Sequence, residues 1–114
     1  MKHQFHESVL RKYDIRGIVG ETLSDKDAFI IGRCFGTIIR DRGGIKVVVG
    51  RDGRVSSDPL SKALMKGLVE SGIQVLNIGV TATPVTYFAE HSLEADGSIM
   101  ITGSHNPPDH NGFK

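Results

Sequence analysis

The sequence predicts an α/β domain built on a mostly parallel sheet, and three observations carry that prediction. From Ile45 onward, short apolar runs alternate with stretches of helical period in the order strand, helix, strand, helix, strand. That order calls for parallel strands joined by right-handed crossovers. The run Ile45–Val49 is dominated by β-branched residues, as buried strands are. Glycine is over-used, at 14 residues, where roughly half that number is usual for this length, so the chain makes many tight turns or close backbone approaches.

Taken in order, residues 1–12 are polar and without period, and are expected to be a solvated N-terminal arm. His3 and His6 lie there without further ligands around them. Tyr13 to Gly20 alternates enough for a short strand, broken by Gly17 and Gly20. Ser24 is an expected N-cap, with Asp27 three residues on as in a weak capping box. Ala28, Ile31, Phe35, Ile38 and Ile39 then form an apolar stripe at helical spacing. Gly32 and Gly36 beside that stripe are expected to permit close packing against a sheet, and Cys34 to be a packing residue. Gly43-Gly44 end the helix.

Ile45–Val49 is the next strand and Gly50–Arg54 the loop after it. Asp58 or Ser57 is expected to cap the second helix, with Pro59 in its first turn and Leu60, Ala63, Leu64, Gly67 and Leu68 as its buried face. Ser71-Gly72 stop that helix. Ile73–Ile78 is a strand, Gly79–Thr83 a loop with Thr83 as N-cap, and Pro84 to about His91 a short helix. Ser98–Thr102 is the last strand. It runs into ITGSHNPPDHNGFK, Ile101 to Lys114, where Pro107 and Pro108 remove two donors and fix φ. That stretch reads as a stiffened loop. Because Lys114 follows an Asn-Gly turn, the chain is expected to be the first piece of a longer polypeptide.

Composition narrows the function. With 114 residues, 39% hydrophobic and 24% charged, one globular domain is expected. A net charge of +1 gives no broad attraction to nucleic acid or anionic membrane. The single Cys34 forms no intramolecular disulfide and lacks the company of a zinc site, which fits a reducing cytoplasm. There is no apolar run of signal-peptide or membrane-spanning length.

In parallel α/β sheets, ligands bind beyond the carboxyl ends of the strands. The Gly50–Arg54, Gly79–Thr83 and Gly103–Lys114 loops therefore share one rim, which gathers Arg51, Arg54, Ser104, His105 and Lys114. Arg16 joins them if the first strand lies near that edge. Guanidinium forks and an ammonium suit phosphate oxygens. A phosphoryl group on Ser104 would bring about −1.5 to −2 charge needing such neighbours. Two plainer accounts stay open. The last loop can be an ordinary surface turn, and in Gly50–Arg54 the glycines can serve the turn while Asp52 pairs an arginine. A serine hydrolase fits poorly, because adjacent side chains in an extended segment point apart and no G-x-S-x-G elbow surrounds Ser104.

Three stretches, in order, resemble one family. Thr102–Lys114, TGSHNPPDHNGFK, is similar to the phosphoserine loop of the α-D-phosphohexomutases. Tyr13–Gly17, YDIRG, resembles their N-terminal segment, and Gly50–Arg54, GRDGR, followed by Ser56-Ser57, a third stretch. The YDIRG opening and NGFK ending look more like the phosphomannomutase/phosphoglucomutase branch than the phosphoglucosamine mutases.

The resemblance implies a three-layer α/β/α sandwich with a mostly parallel, mixed central sheet over residues 13–114, as domain I of a multi-domain enzyme. It implies reversible transfer of phosphate between the 1- and 6-positions of a mannose or glucose phosphate, through a phosphoserine at Ser104 and a hexose 1,6-bisphosphate. Arg16 and Lys114 would neutralise charge or move protons, Tyr13 would border the substrate, and His105 would support the loop. Mg²⁺ would be held by the Ser104 phosphate and by aspartates outside this chain. The expected partners are hexose phosphates and the remaining domains, with no nucleic acid and no membrane. Residues 1–114 alone are expected to be inactive. The alternatives are a phosphosugar-binding or regulatory module without transfer and, less well supported, the hydrolase.

Overall fold

The computed structural model describes residues 15–18, 23–54, 56–102 and 110–113. The arm over residues 1–12, with His3 and His6, lies outside them. The elements run β1 (Ile15–Ile18), α1 (Asp25–Asp41), β2 (Lys46–Arg51), α2 (Ser57–Glu70), β3 (Gln74–Val80), α3 (Thr83–Ser92), β4 (Gly97–Ile101) and β5 (His110–Phe113). The five strands form one sheet in the order β1-β5-β4-β2-β3. β2 is parallel to β3 and to β4, whereas β5 is antiparallel to β4 and to β1.

Strand alternation decides which helix lies on which face. Val47 and Val49 share a core with Leu60, Leu64 and Leu68 of α2 and Ala28, Ile31 and Ile39 of α1. Val48, one residue out of phase, is also fully buried. On its side, Thr86 of α3 donates to the Met100 sulfur at 3.2 Å. A Cβ on Gly50 would stand 2.5 Å from Thr86 Oγ1. Two helices therefore cover one face and α3 the other, giving the expected three layers. The chain steps from β2 to β3 in one direction and back across β2 to β4 in the other. The covering helix changes face with the direction, as a constant crossover hand requires.

The local signals mostly hold. Ser24 accepts from the Asp27 amide at 3.2 Å and its own amide donates to Asp27 Oδ2 at 3.0 Å, a complete capping box. α1 ends through Gly43, at φ +87°, and α2 through Gly72, at φ +85°, backbone conformations open mainly to glycine. At the far edge of the sheet, Asp96 Oδ2 accepts from the amides of Ile45 (2.7 Å) and Lys46 (2.9 Å), tying the starts of β2 and β4 together.

Several expectations are corrected. Gly32 faces α2 rather than the sheet. A Cβ there would overlap the Leu64 carbonyl oxygen, and one on Gly67 would overlap that of Phe29, so the two glycines mark the contact of α1 with α2. Ile38, assigned to the buried stripe, is 49% exposed, and Cys34 is exposed as well. Both lie on the side of α1 away from the core, beside Ile30 and Thr37. β2 and β3 each start one residue later than expected and end two residues later, at Arg51 and Val80. Gly50 serves the close approach of α3 rather than a turn.

The N-cap of α2 is Ser56 and that of α3 is Ala82, neither with a side-chain cap bond. In α3, Pro84 sits in the first turn, where its missing N–H removes one donor that a cap would otherwise satisfy. The largest change is β5. His110–Phe113, expected to be part of a loop, is a strand between β4 and β1.

Candidate functional site

The parallel registers pair Arg51 with Val80 and with Ile101, so the segments leaving β2, β3 and β4 depart from one edge. β5 and β1 extend the sheet beyond it. Phe113 is paired with Ile101 on one side and Ile15 on the other. The pairs Arg16–Gly112, Gly17–Asn111 and Ile18–His110 then form further rows past the end of β4. The Arg16 backbone thus lies one row beyond the carboxyl end of β4. The chain leaves β2 toward β3 on one side and β4 toward β5 on the other, so the strand order reverses between β2 and β4. In open α/β sheets that reversal opens the ligand crevice. The described residues nearest it are Asp52, Gly53, Arg54 and Ser56 after β2 and Thr102 after β4.

Side chains at this edge are tied together. Asp52 extends the β2–β4 ladder, its amide donating to the Ile101 carbonyl at 2.9 Å. Its carboxylate accepts from the Arg54 amide (3.1 Å) and the Ser57 hydroxyl (2.5 Å), and meets Arg54 Nε at 3.2 Å. Those two charged side chains are only 18% and 22% exposed, so the pair is less screened than a surface salt bridge. Arg51 meets Asp58 at 3.7 Å, and Asp58 also meets Lys62 at 3.0 Å. Asn111 is fully buried, and its amide nitrogen donates to the hydroxyls of Ser56 and Ser57, 2.9 Å each. The two serines are thereby committed to Asn111 and Asp52, which explains why neither hydroxyl caps α2.

Of the residues expected on the rim, Arg51 and Arg54 are at this edge and both are paired with carboxylates. Arg16 is placed there by its backbone register. Tyr13, Ser104, His105 and Lys114 lie outside the described residues, which hold only the two ends of the last loop, Thr102 and His110. Among the described residues no three His, Cys, Asp or Glu side chains are grouped to hold a metal. The carboxylates of Asp52 and Asp58 are engaged by arginines, so these residues do not make a Mg²⁺ site. Nor is any described helix long and apolar enough to cross a membrane.

The network of Asn111, Ser56 and Ser57 was not anticipated. Asn-Gly reads locally as a turn, and only pairing with β1 makes it strand. The one available signal was the pair of serines placed where α2 begins.

Residues 7–114 match the family profile described as phosphoglucomutase/phosphomannomutase, alpha/beta/alpha domain I. The chain is 52% identical over 107 residues to a phosphomannomutase/phosphoglucomutase of Pseudomonas aeruginosa, covering 94% of this chain and 23% of that protein. It is 48% identical over 106 residues to a phosphoglucomutase of Neisseria meningitidis, covering 93% and 23%. A solved phosphoglucomutase/phosphomannomutase family protein from Burkholderia thailandensis superposes with a TM-score of 0.91 at 46% identity, over 97% of this chain and 26% of that one. The chain therefore spans about a quarter of the length of these relatives.

Proposed function

Because the chain belongs to the phosphoglucomutase/phosphomannomutase family, as its α/β/α domain I, we propose that it carries the phosphoserine of a hexose-phosphate mutase. The observation that supports this best is the shared edge. The Gly50–Arg54 segment, the Arg16 backbone and both ends of the Ser104 loop converge where the strand order reverses.

In the proposed reaction, the phosphorus–oxygen bond to Ser104 breaks as one forms to a sugar hydroxyl. The hydroxyl gives up its proton and the serine oxygen regains one. The resulting glucose or mannose 1,6-bisphosphate turns over, and its other phosphate returns to Ser104. Such transfers depend on positioning and charge neutralisation more than on covalent chemistry. Arg16 and Lys114 supply cations, His105 supports the loop and Tyr13 borders the sugar. Mg²⁺ would help neutralise the Ser104 phosphate with ligands from outside this chain, and no step here depends on where it sits.

The enzyme works in the cytoplasm with the remaining domains of its polypeptide, and residues 1–114 alone do not turn over. The test is Ser104→Ala in the full-length protein, with phosphopeptide mass spectrometry of the unmutated enzyme. Phosphate on Ser104 and loss of hexose-phosphate interconversion in the variant are expected. Near-normal turnover by Ser104→Ala rejects the proposal. An unphosphorylated protein that binds hexose phosphate without converting it would be a binding module, and labelling by a fluorophosphonate would indicate a hydrolase.

A further inference from the structure

The buried amide of Asn111 opens a chain of hydrogen bonds whose directions are fixed. Its two amide hydrogens go to Ser56 Oγ and Ser57 Oγ. The Ser57 hydroxyl, having accepted, spends its own hydrogen on Asp52 Oδ1. Asp52 uses both oxygens, taking the Arg54 amide and the Ser57 hydroxyl on one and the Arg54 guanidinium on the other. Donor follows acceptor without conflict from a strand amide to a helix N-terminus to a loop carboxylate. Asn111 and Ser57 are both fully buried, so breaking one link leaves a polar group that water does not reach.

What the chain fastens is β5. That strand lies between the Ser104 loop and Lys114 in sequence, and it pairs with β1, setting Gly112 opposite Arg16 and Asn111 opposite Gly17. Among the described residues its one backbone pair with β4 is Ile101–Phe113, and the rows beyond pair with β1. Asn111 sits in those rows and reaches across to the segment after β2.

Resting on the mutase proposal, we infer that Asn111 is a positioning residue for phosphoryl transfer, acting through Ser57 and Asp52. It locks the strand that carries the far end of the Ser104 loop, Lys114 and the pairing partner of Arg16 to the Gly50–Arg54 segment. A displacement of about 1 Å in such a constellation costs on the order of a hundredfold in rate.

The test uses full-length enzyme with Asn111→Leu, Ser57→Ala, the Asn111→Leu/Ser57→Ala pair, and Leu68→Ala as a core-destabilised control. Each is assayed for kcat, KM and thermal midpoint. The expected result is a fall in kcat of about tenfold to a hundredfold for each network variant. KM should stay within about twofold, and the double variant should be little worse than Asn111→Leu. Leu68→Ala should lose stability and keep its kcat per folded molecule. Network variants that lose only stability, or whose kcat losses multiply, overturn the inference. If Asn111→Leu does not fold, a normal kcat in Ser57→Ala overturns it. Ser104→Ala, run alongside, separates the two claims. An inactive Ser104→Ala beside a fully active Asn111→Leu rejects only the positioning role, whereas an active Ser104→Ala rejects the mutase itself.

Discussion

Replacing Gly32 with alanine should destabilise the protein by about 2 kcal/mol, against the usual effect of that change in a helix. In an open helix, alanine is favoured over glycine by about 1 kcal/mol. At position 32 the added methyl would overlap the Leu64 carbonyl oxygen and stand 3.0 Å from the Leu68 nitrogen and 3.1 Å from Gly67 Cα. All three are backbone atoms of α2, so no rotamer change makes room and the helices themselves must separate.

Overpacking typically costs about 1–3 kcal/mol, and a backbone obstacle belongs at the upper end. Subtracting the propensity gain leaves about 2 kcal/mol. In a urea titration followed by far-UV circular dichroism, that is a midpoint lower by about 1 M at unchanged slope. Gly67→Ala should behave alike, and the two together should cost less than their sum, because the helices part only once. Gly53→Ala is the control: no described heavy atom lies within 4 Å of the added carbon and φ is not positive, so a change within about 0.5 kcal/mol is expected. A Gly32→Ala variant as stable as the parent would refute the close contact of α1 and α2.

Two further outcomes follow from the same fold. The Asp96 carboxyl is held below its ordinary 3.8 by the amides of Lys46 and Ile45. A depressed carboxyl adds stability above its unfolded value and loses it as pH falls through the folded one. Asp96→Ala should therefore be less stable than the parent at pH 7, and the gap in urea midpoint should narrow below about pH 4; a gap of the same size at pH 3 would contradict this. Cys34, the only cysteine, is exposed on α1 and should react with Ellman's reagent in the folded protein at close to one equivalent. Reaction only after unfolding would place the thiol in the core.

The parts of the fold legible in the sequence are those fixed by neighbours along the chain. Ser24 and Asp27 announce a helix start because both halves of the capping box lie within one turn. The run Val47–Val49 announces a buried strand because its environment is uniformly apolar. What escaped was decided across the sheet or between helices. Gly32 and Gly67 look like propensity losses until α1 and α2 are laid together. Ile38 shares the period of its stripe but falls at its margin, where the 3.6-residue repeat has carried it out of the core. Asn111-Gly112 carries a turn signature that pairing with β1 overrides. At the site, the common edge follows from strand–helix alternation alone. The pairing of Asp52 with Arg54 was one of two open accounts, and the link to Ser57 and Asn111 joins residues some fifty-five positions apart, beyond any local pattern.

β3 ends the sheet order, and near its carboxyl end Val49 faces Asn77 while Gly50 faces Gly79. One extra residue, Ile78, is thus accommodated, with Gly79 at φ +75° and its amide turned onto Asn77 Oδ1 at 2.9 Å. An outermost strand otherwise offers an uninterrupted row of hydrogen-bonding groups to any foreign chain. Here the regular pairing of β3 is interrupted at Ile78 and the Gly79 amide is satisfied within its own strand, beside the carboxyl end of β2. An irregularity of this kind bends an edge strand and makes it a poorer template for strand pairing.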